Sequence, residues 1–198
     1  MSWQVEQEEE RTWWGACTNT LGEELKQMVY AEYMGLMWEN TGGPGPVIRM
    51  GERSIVDVGG GPASLLLKVE TSGNRSVIDP CYYPSWTRER YEAAGVAFYK
   101  MKGEEFAQFF SNTWDECWIY NVLQHTEDPE AVIANARKAA KKIRLFEWID
   151  MPVSPGHPHT LTEMDLTKWL RADRSQYRTV EVDERGAVGR AFTGVFYA

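Results

Sequence analysis

The stretch Ser54–Lys68, "SIVDVGGGPASLLLK", decides the fold. A short run with the composition of a buried strand meets three consecutive glycines, Gly59, Gly60 and Gly61, and passes through Pro62 into a second apolar segment. A strand that ends in a glycine turn and leads at once into a helix opens a βα unit, and the glycines let backbone approach whatever lies in the crevice beyond the strand. Pro62 predicts the first helical position, where its missing N–H would be unpaired anyway, so the free N–H groups of that helix would face the crevice. A bare turn seldom needs three glycines in sequence.

Outward from this point strand and helix signals alternate. "SIVDV", "SVID", "VAFYK", "DECWIYNV" and "IRLFEWI" are short apolar runs, and the segments between them have the length of crossover helices. Alternation of that kind implies an α/β fold with a parallel sheet and right-handed crossovers. After the fourth strand, Asp128 predicts an N-cap and Pro129 the first helical residue. Val132, Ile133, Ala136 and Ala140 share one face of that helix, and Lys141 and Lys142 meet its negative end. Near the C-terminus, Thr162 and Asp165 predict a capping box with Leu161 and Leu166 as its staple. "YRTVEVDERGAVGRAFTGVFYA" reads as a terminal hairpin that gives the sheet an antiparallel edge.

The loop "ENTGGPGP", 39–46, divides the chain into a helical cap with its linker, 1–46, and one compact unit, 47–198. Within the cap, Leu25, Met28, Val29, Tyr33 and Leu36 recur at helical spacing, predicting an amphipathic helix over about 23–38. The lead "RTWWGACTNTLGEE" predicts a structured loop, with Thr20 and Glu23 as a capping box. The apolar stripe needs cover. The carboxyl edge of the sheet is the expected place, because Trp13, Trp14, Thr18 and Asn19 stand together in the lead; packing on the sheet's outer helices is the alternative.

The 198 residues carry a net charge of −8 and a pI near 5.0, which argues against nucleic acid or an anionic membrane as partner. Three scattered cysteines, Cys17, Cys81 and Cys117, form neither a disulfide framework nor a metal clamp, and fit a reducing, cytoplasmic setting. The N-terminus is acidic where a signal peptide would be basic, and no apolar run approaches the roughly 20 residues needed to span a bilayer. Nine tryptophans and nine tyrosines suit either core packing or the lining of a flat or cationic ligand site.

Counting from Gly59, the third glycine of a dinucleotide fingerprint falls on Ser64, which disfavours a nicotinamide cofactor. The stretch instead resembles the first motif of class I S-adenosylmethionine-dependent methyltransferases, acidic-x-Gly-x-Gly-x-Gly, here Asp57, Gly59, Gly61 and then Ala63 in place of the last glycine. The resemblance spans roughly residues 50–175. It implies a Rossmann-like, mostly parallel seven-stranded sheet with helices on both faces, and methyl transfer from S-adenosylmethionine to a small-molecule acceptor, leaving S-adenosylhomocysteine. On it, Asp57, Gly59, Gly60, Gly61 and Pro62 form the cofactor turn, and Asp79 of "VIDP", with Pro80 beside it in the cofactor site, meets the ribose, whose neighbouring hydroxyls suit one carboxylate. Glu104 or Glu105 of "KGEEF" would accept from the adenine amine. "NVLQHTEDP" resembles the family's Asn-x-Leu-x-His before Asp-Pro, placing Asn121 and Val122 beside the methionine part.

Three histidines are candidates for catalysis. His125 is either a general base or a hydrogen-bonded closure of its loop. His157 and His159, in a proline-interrupted loop after the fifth strand, are read as acceptor contacts or as braces of that loop; a third metal ligand is not evident, so no metal is expected. The competing functions are an S-adenosylmethionine sensor without transfer, a member repurposed to degrade the cofactor, and a nicotinamide oxidoreductase.

Overall fold

The computed structural model describes residues 3–43, 45–110 and 113–198; Pro44, in the expected linker, lies outside them. Two helices come first, α1 (Trp3–Trp14) and α2 (Leu21–Tyr33), then β1 (Trp38–Glu39), β2 (Val47–Gly51) and β3 (Ile55–Val58). After the glycine turn follow β4 (Val69–Thr71), β5 (Arg75–Ile78), α3 (Ser85–Ala93), β6 (Val96–Tyr99) and β7 (Trp114–Tyr120). The chain ends with α4 (Pro129–Ala139), β8 (Ala140–Trp148), α5 (Glu163–Leu170), β9 (Tyr177–Glu184) and β10 (Ala187–Tyr197). A seven-stranded sheet has the order β6-β5-β3-β7-β8-β10-β9, parallel from β6 to β8, with β10 antiparallel to both neighbours. The expected parallel sheet and antiparallel edge hairpin are both present.

Alternation along the strands sorts side chains to two cores. Val56, Val58, Ile78 and Ile119 pack beneath α4 and α5 on one face, and Ile55, Val77, Trp118 and Phe146 pack beneath α2 and α3 on the other. On that second face lies a small sheet, β1-β2-β4, that sequence periodicity did not reveal. Its strands pair across the 39–46 loop, Trp38 with Ile48 and Glu39 with Val47, so cap and body are knitted together there.

Four local expectations need correction. Pro62 does not start a helix: the segment after the glycines forms only a 3₁₀ turn, Leu65–Lys68, capped by Ser64 and continued as β4. The Ser64 hydroxyl accepts from Leu66 N, and its own N–H donates to the Tyr91 hydroxyl, so a local side-chain bond and a tertiary one together outcompete helix propagation. α2 ends at Tyr33, because Gly35 turns back with φ +73°, and Thr20 bonds the Glu24 carboxylate rather than capping. The lead is helical through Trp14, as α1. Finally, Ala140, Lys141 and Lys142 belong to β8; the cations at the negative end of α4 are Arg137 and Lys138. The Asp128 cap is as expected, its Oδ1 accepting from Ala131 N at 3.0 Å. Thr162 also caps, accepting from Asp165 N at 3.1 Å, although the Asp165 carboxylate returns to the Thr162 hydroxyl instead of its backbone. Among the described residues, no helix is long and apolar enough to cross a membrane.

Candidate active site

Because the parallel strands share one direction, the loops after β3, β5, β6, β7 and β8 gather at one edge, the position at which open α/β sheets bind ligands. They surround a cavity of about 530 Å³. Gly59, Gly60, Gly61, Asp79, Pro80, Glu104, Asn121, Val122, His125 and His157 all line it, five loops brought together from distant parts of the sequence. Asp57, Pro62, Glu105 and His159 do not.

The glycine turn owes its sequence first to packing. Gly59 has φ +74°, and a Cβ there would lie 1.8 Å from Val122 Cγ2; Gly61 has φ +59°, with Trp14 at ordinary contact distance, 3.5 Å. Asp57 sits beneath the turn rather than in the cavity. Fully buried, it accepts from the hydroxyls of Ser64 and Tyr120, and burial pushes its carboxyl up to about 7. Tyr91 closes the brace, donating to the Gly61 carbonyl at 2.7 Å. Asp57 therefore acts on a ligand only through the turn it holds.

Asp79 occupies the wall beside the turn. Its Oδ2 accepts from Gly61 N at 3.0 Å, and its Oδ1 from Cys81 N at 2.8 Å and the Tyr83 hydroxyl at 3.1 Å. Burial raises the carboxyl to about 6, against the pull of those donors. A carboxylate offers about four lone-pair directions, of which three are taken, so one ribose hydroxyl fits directly and a second fits if Tyr83 yields its place. Glu104 lines the cavity while its Oε1 accepts from the N–H groups of Glu127 and Asp128, at 2.9 and 3.2 Å. Glu105 is exposed on the far side of the same turn. Asn121 stands in left-handed backbone, φ 55°, its Oδ1 accepting from Gln124.

His125 and His157 come together with ring centroids 4.3 Å apart. His125 Nδ1 donates to the Gly156 carbonyl at 2.6 Å, joining the loops after β7 and β8, and His157 Nδ1 bonds Ser154 Oγ at 3.1 Å. His159 turns away, donating from Nε2 to the Thr126 carbonyl at 2.8 Å, and serves as a brace. No group of three His, Cys, Asp or Glu side chains among the described residues could hold a metal ion.

Several lining residues were not anticipated. Glu23, Gln27 and Tyr30 face the cavity from α2, their spacing of four and three being a helical signal that apolar residues alone hide. Glu10 reaches in from α1, and Trp148 from β8. Trp13 and Trp14 line the cavity as the lead suggested, whereas Thr18 and Asn19 are exposed elsewhere. Behind the wall lies Glu147, fully buried, whose Oε1 accepts from Val122 N at 2.9 Å and Leu123 N at 3.1 Å. Burial pushes this carboxyl up to about 8.

No family model matches the chain, and no curated protein does either. Solved structures do. A Thermotoga maritima S-adenosylmethionine-dependent methyltransferase, described as a possible histamine N-methyltransferase, aligns with TM-score 0.61 and 11% identity over 98% of both chains. The 1,6-didemethyltoxoflavin-N1-methyltransferase of Burkholderia thailandensis, solved with its substrate and S-adenosylhomocysteine, aligns with TM-score 0.60 and 12% identity over 98% of this chain and 87% of that one. A putative methyltransferase of Bacillus halodurans follows at TM-score 0.51 and 14% identity, over 67% of this chain and 65% of its own length, just under two thirds. At these identities the likeness establishes the fold of class I methyltransferases. It does not choose a chemistry, since a putative zinc-dependent alcohol dehydrogenase of Rhodobacter sphaeroides also aligns, with TM-score 0.56 and 8% identity over 75% of this chain and 86% of that one.

Proposed function

We propose that the protein is an S-adenosylmethionine-dependent methyltransferase acting on a small-molecule acceptor. The observation that carries the proposal is a cavity at the carboxyl edge, walled by the glycine turn, buried Asp79 and Asn121. When bound, the cofactor supplies an activated methyl group on a positively charged sulfur. The chain's own task is to bind, orient and keep water away. Asp79 holds the ribose, Gly59 to Gly61 approach with backbone, Pro80 and Glu104 flank the adenine, and Asn121 and Val122 border the methionine part. α1, from the 1–46 segment, covers the mouth: Trp14 lies over Gly61, and Gln7 Oε1 meets Cys81 Sγ at 3.1 Å. His125 and His157 close the acceptor side and are placed to take a proton from an acceptor.

A dinucleotide reading fits less well. Pyrophosphate sites use the N-terminus of a full helix, and here the turn leads only to the four-residue 3₁₀ turn capped by Ser64. A sensor without transfer would share every cofactor contact. Incubating the protein with S-adenosylmethionine and a panel of small amines, phenols and thiols, with S-adenosylhomocysteine followed by mass spectrometry, tests the proposal. Acceptor-dependent product supports it; tight cofactor binding with no product from any acceptor supports the sensor.

A further inference from the structure

The part of the cavity beneath α1 and α2 has a composition of its own. α1 contributes Glu10 and α2 contributes Glu23, Lys26, Gln27 and Tyr30, with Trp148 from β8 behind them. Glu10 and Glu23 both line this wall; burial raises the Glu10 carboxyl, opposed by a hydrogen bond from Trp14 and the influence of His157, and Glu23 adds the smallest contribution, a further rise. The cation in this wall, Lys26, is held by Glu23 Oε1 at 2.7 Å, and Trp14 Nε1 takes Glu10 Oε1 at 2.6 Å. A positively charged guest would relieve the repulsion between the two carboxylates.

A second, independent observation concerns Gln27. It is 7% exposed, and its amide oxygen is buried without a hydrogen-bond partner. A buried acceptor left without a donor costs free energy that an N–H of a bound molecule would recover. Tyr30 and Trp148 complete the wall with rings set edge to face, centroids 6.0 Å apart at 81°, a surface suited both to a flat ring and to a cation.

We infer that the acceptor is a small aromatic amine, recognised as its cation between Glu10 and Glu23 and against the rings of Tyr30 and Trp148; its nitrogen accepts the methyl group only after its proton passes to one of the two carboxylates and frees the lone pair. The word acceptor rests on the methyltransferase reading; the recognition of the cation does not. An anionic acceptor would meet two carboxylates, and a neutral alcohol would leave their repulsion in place.

The test uses three probes with one ring and equal reach, 2-phenylethylamine, 2-phenylethanol and 3-phenylpropionate, titrated calorimetrically at neutral pH into the full-length protein, alone and saturated with S-adenosylhomocysteine. The amine is expected to bind at least tenfold more tightly than the alcohol, and the carboxylate most weakly. Exchanging both acids, Glu10→Gln with Glu23→Gln, should bring the amine down to the alcohol's affinity while leaving the alcohol's unchanged, which also shows that the variant is folded. Lys26→Ala, removing the competing cation, should strengthen the amine. Equal affinities, no binding by any probe, or a preference that survives the double exchange overturns the inference. S-adenosylhomocysteine that binds without an amine preference sinks this inference alone; an amine preference without S-adenosylhomocysteine binding sinks the methyltransferase reading and leaves the cation site standing.

Discussion

Glu147→Gln should stabilise the protein at pH 8 and leave it nearly unchanged at pH 5. The carboxyl is fully buried on β8, one oxygen accepts two backbone N–H groups of the Asn121–Leu123 loop, and the other has no partner. Its proton affinity, raised by burial from the usual 4.5 to about 8, means that the folded state binds a proton that the unfolded state releases. The sign follows directly. For a carboxyl whose folded value is raised, stability is full below the unfolded value and is lost as pH climbs toward the folded one. A rise of that size sets a ceiling of about 5 kcal/mol. Buried sites respond as if in a dielectric of about 20, so roughly 1 to 3 kcal/mol is expected. Glutamine keeps the acceptor for Val122 and Leu123 and cannot ionise. Chemical denaturation at pH 5, 6.5 and 8 should therefore show wild type and variant diverging with pH, and thermal midpoints separating by about 2 to 4 °C per kcal/mol at pH 8. Parallel curves, or a variant less stable at pH 8, would refute the account of this carboxyl.

Three further expectations concern the cavity. Because Asp79 protonates near 6 and its proposed ribose contact needs the carboxylate, S-adenosylhomocysteine affinity should be flat above pH 7 and fall on acidification below 6; calorimetry across pH checks this, and Asp79→Asn should abolish the dependence. Gly59→Ala should cost more stability than Gly61→Ala, roughly 2 to 3 against about 1 kcal/mol, since both have positive φ but only the first collides with Val122; the reverse order in thermal unfolding would contradict the packing described. Removing residues 1–16 should leave a folded sheet with weakened cofactor affinity and no turnover, because α1 covers the mouth while α2 belongs to the core; a truncated protein turning over at the full-length rate would make α1 mere scaffold.

The parallel strands and α4 were legible because each rests on local chemistry: apolar runs for the parallel strands, Asp128 and Pro129 for the helix start. The 3₁₀ turn at Leu65–Lys68 was not, because "PASLLLK" has helical composition and only the tertiary bonds of Ser64 to Asp57 and Tyr91 stop it. The small sheet escaped because β1 and β4 are two and three residues long, too short for any period. In the site, the glycines were found from the turn that ends a strand, and Asp79 from the family resemblance at the end of the next one. Gln27 could not be, since it approaches from α2, whose place over the cavity is set by tertiary packing such as the stacking of Tyr30 on Phe146, at 4.3 Å between centroids, and Glu10 and Trp148 approach from elements whose register over the cavity the sequence does not mark. Glu105 was misplaced, and His159 takes the bracing role instead of the acceptor contact, for the opposite reason: proximity in sequence to the carboxyl edge does not fix which way a side chain turns.

The central claim, that this cavity holds S-adenosylmethionine with Asp79 on the ribose, is tested most directly by titrating S-adenosylhomocysteine into the full-length protein and into Asp79→Ala at pH 7.5. Saturable binding near one equivalent is expected for the wild type. For the variant the expected loss is about 2 kcal/mol or more, a factor of about thirty, as for a charge-assisted hydrogen bond removed from a buried site. Equal affinity in the two proteins, or no binding by the wild type, would contradict it.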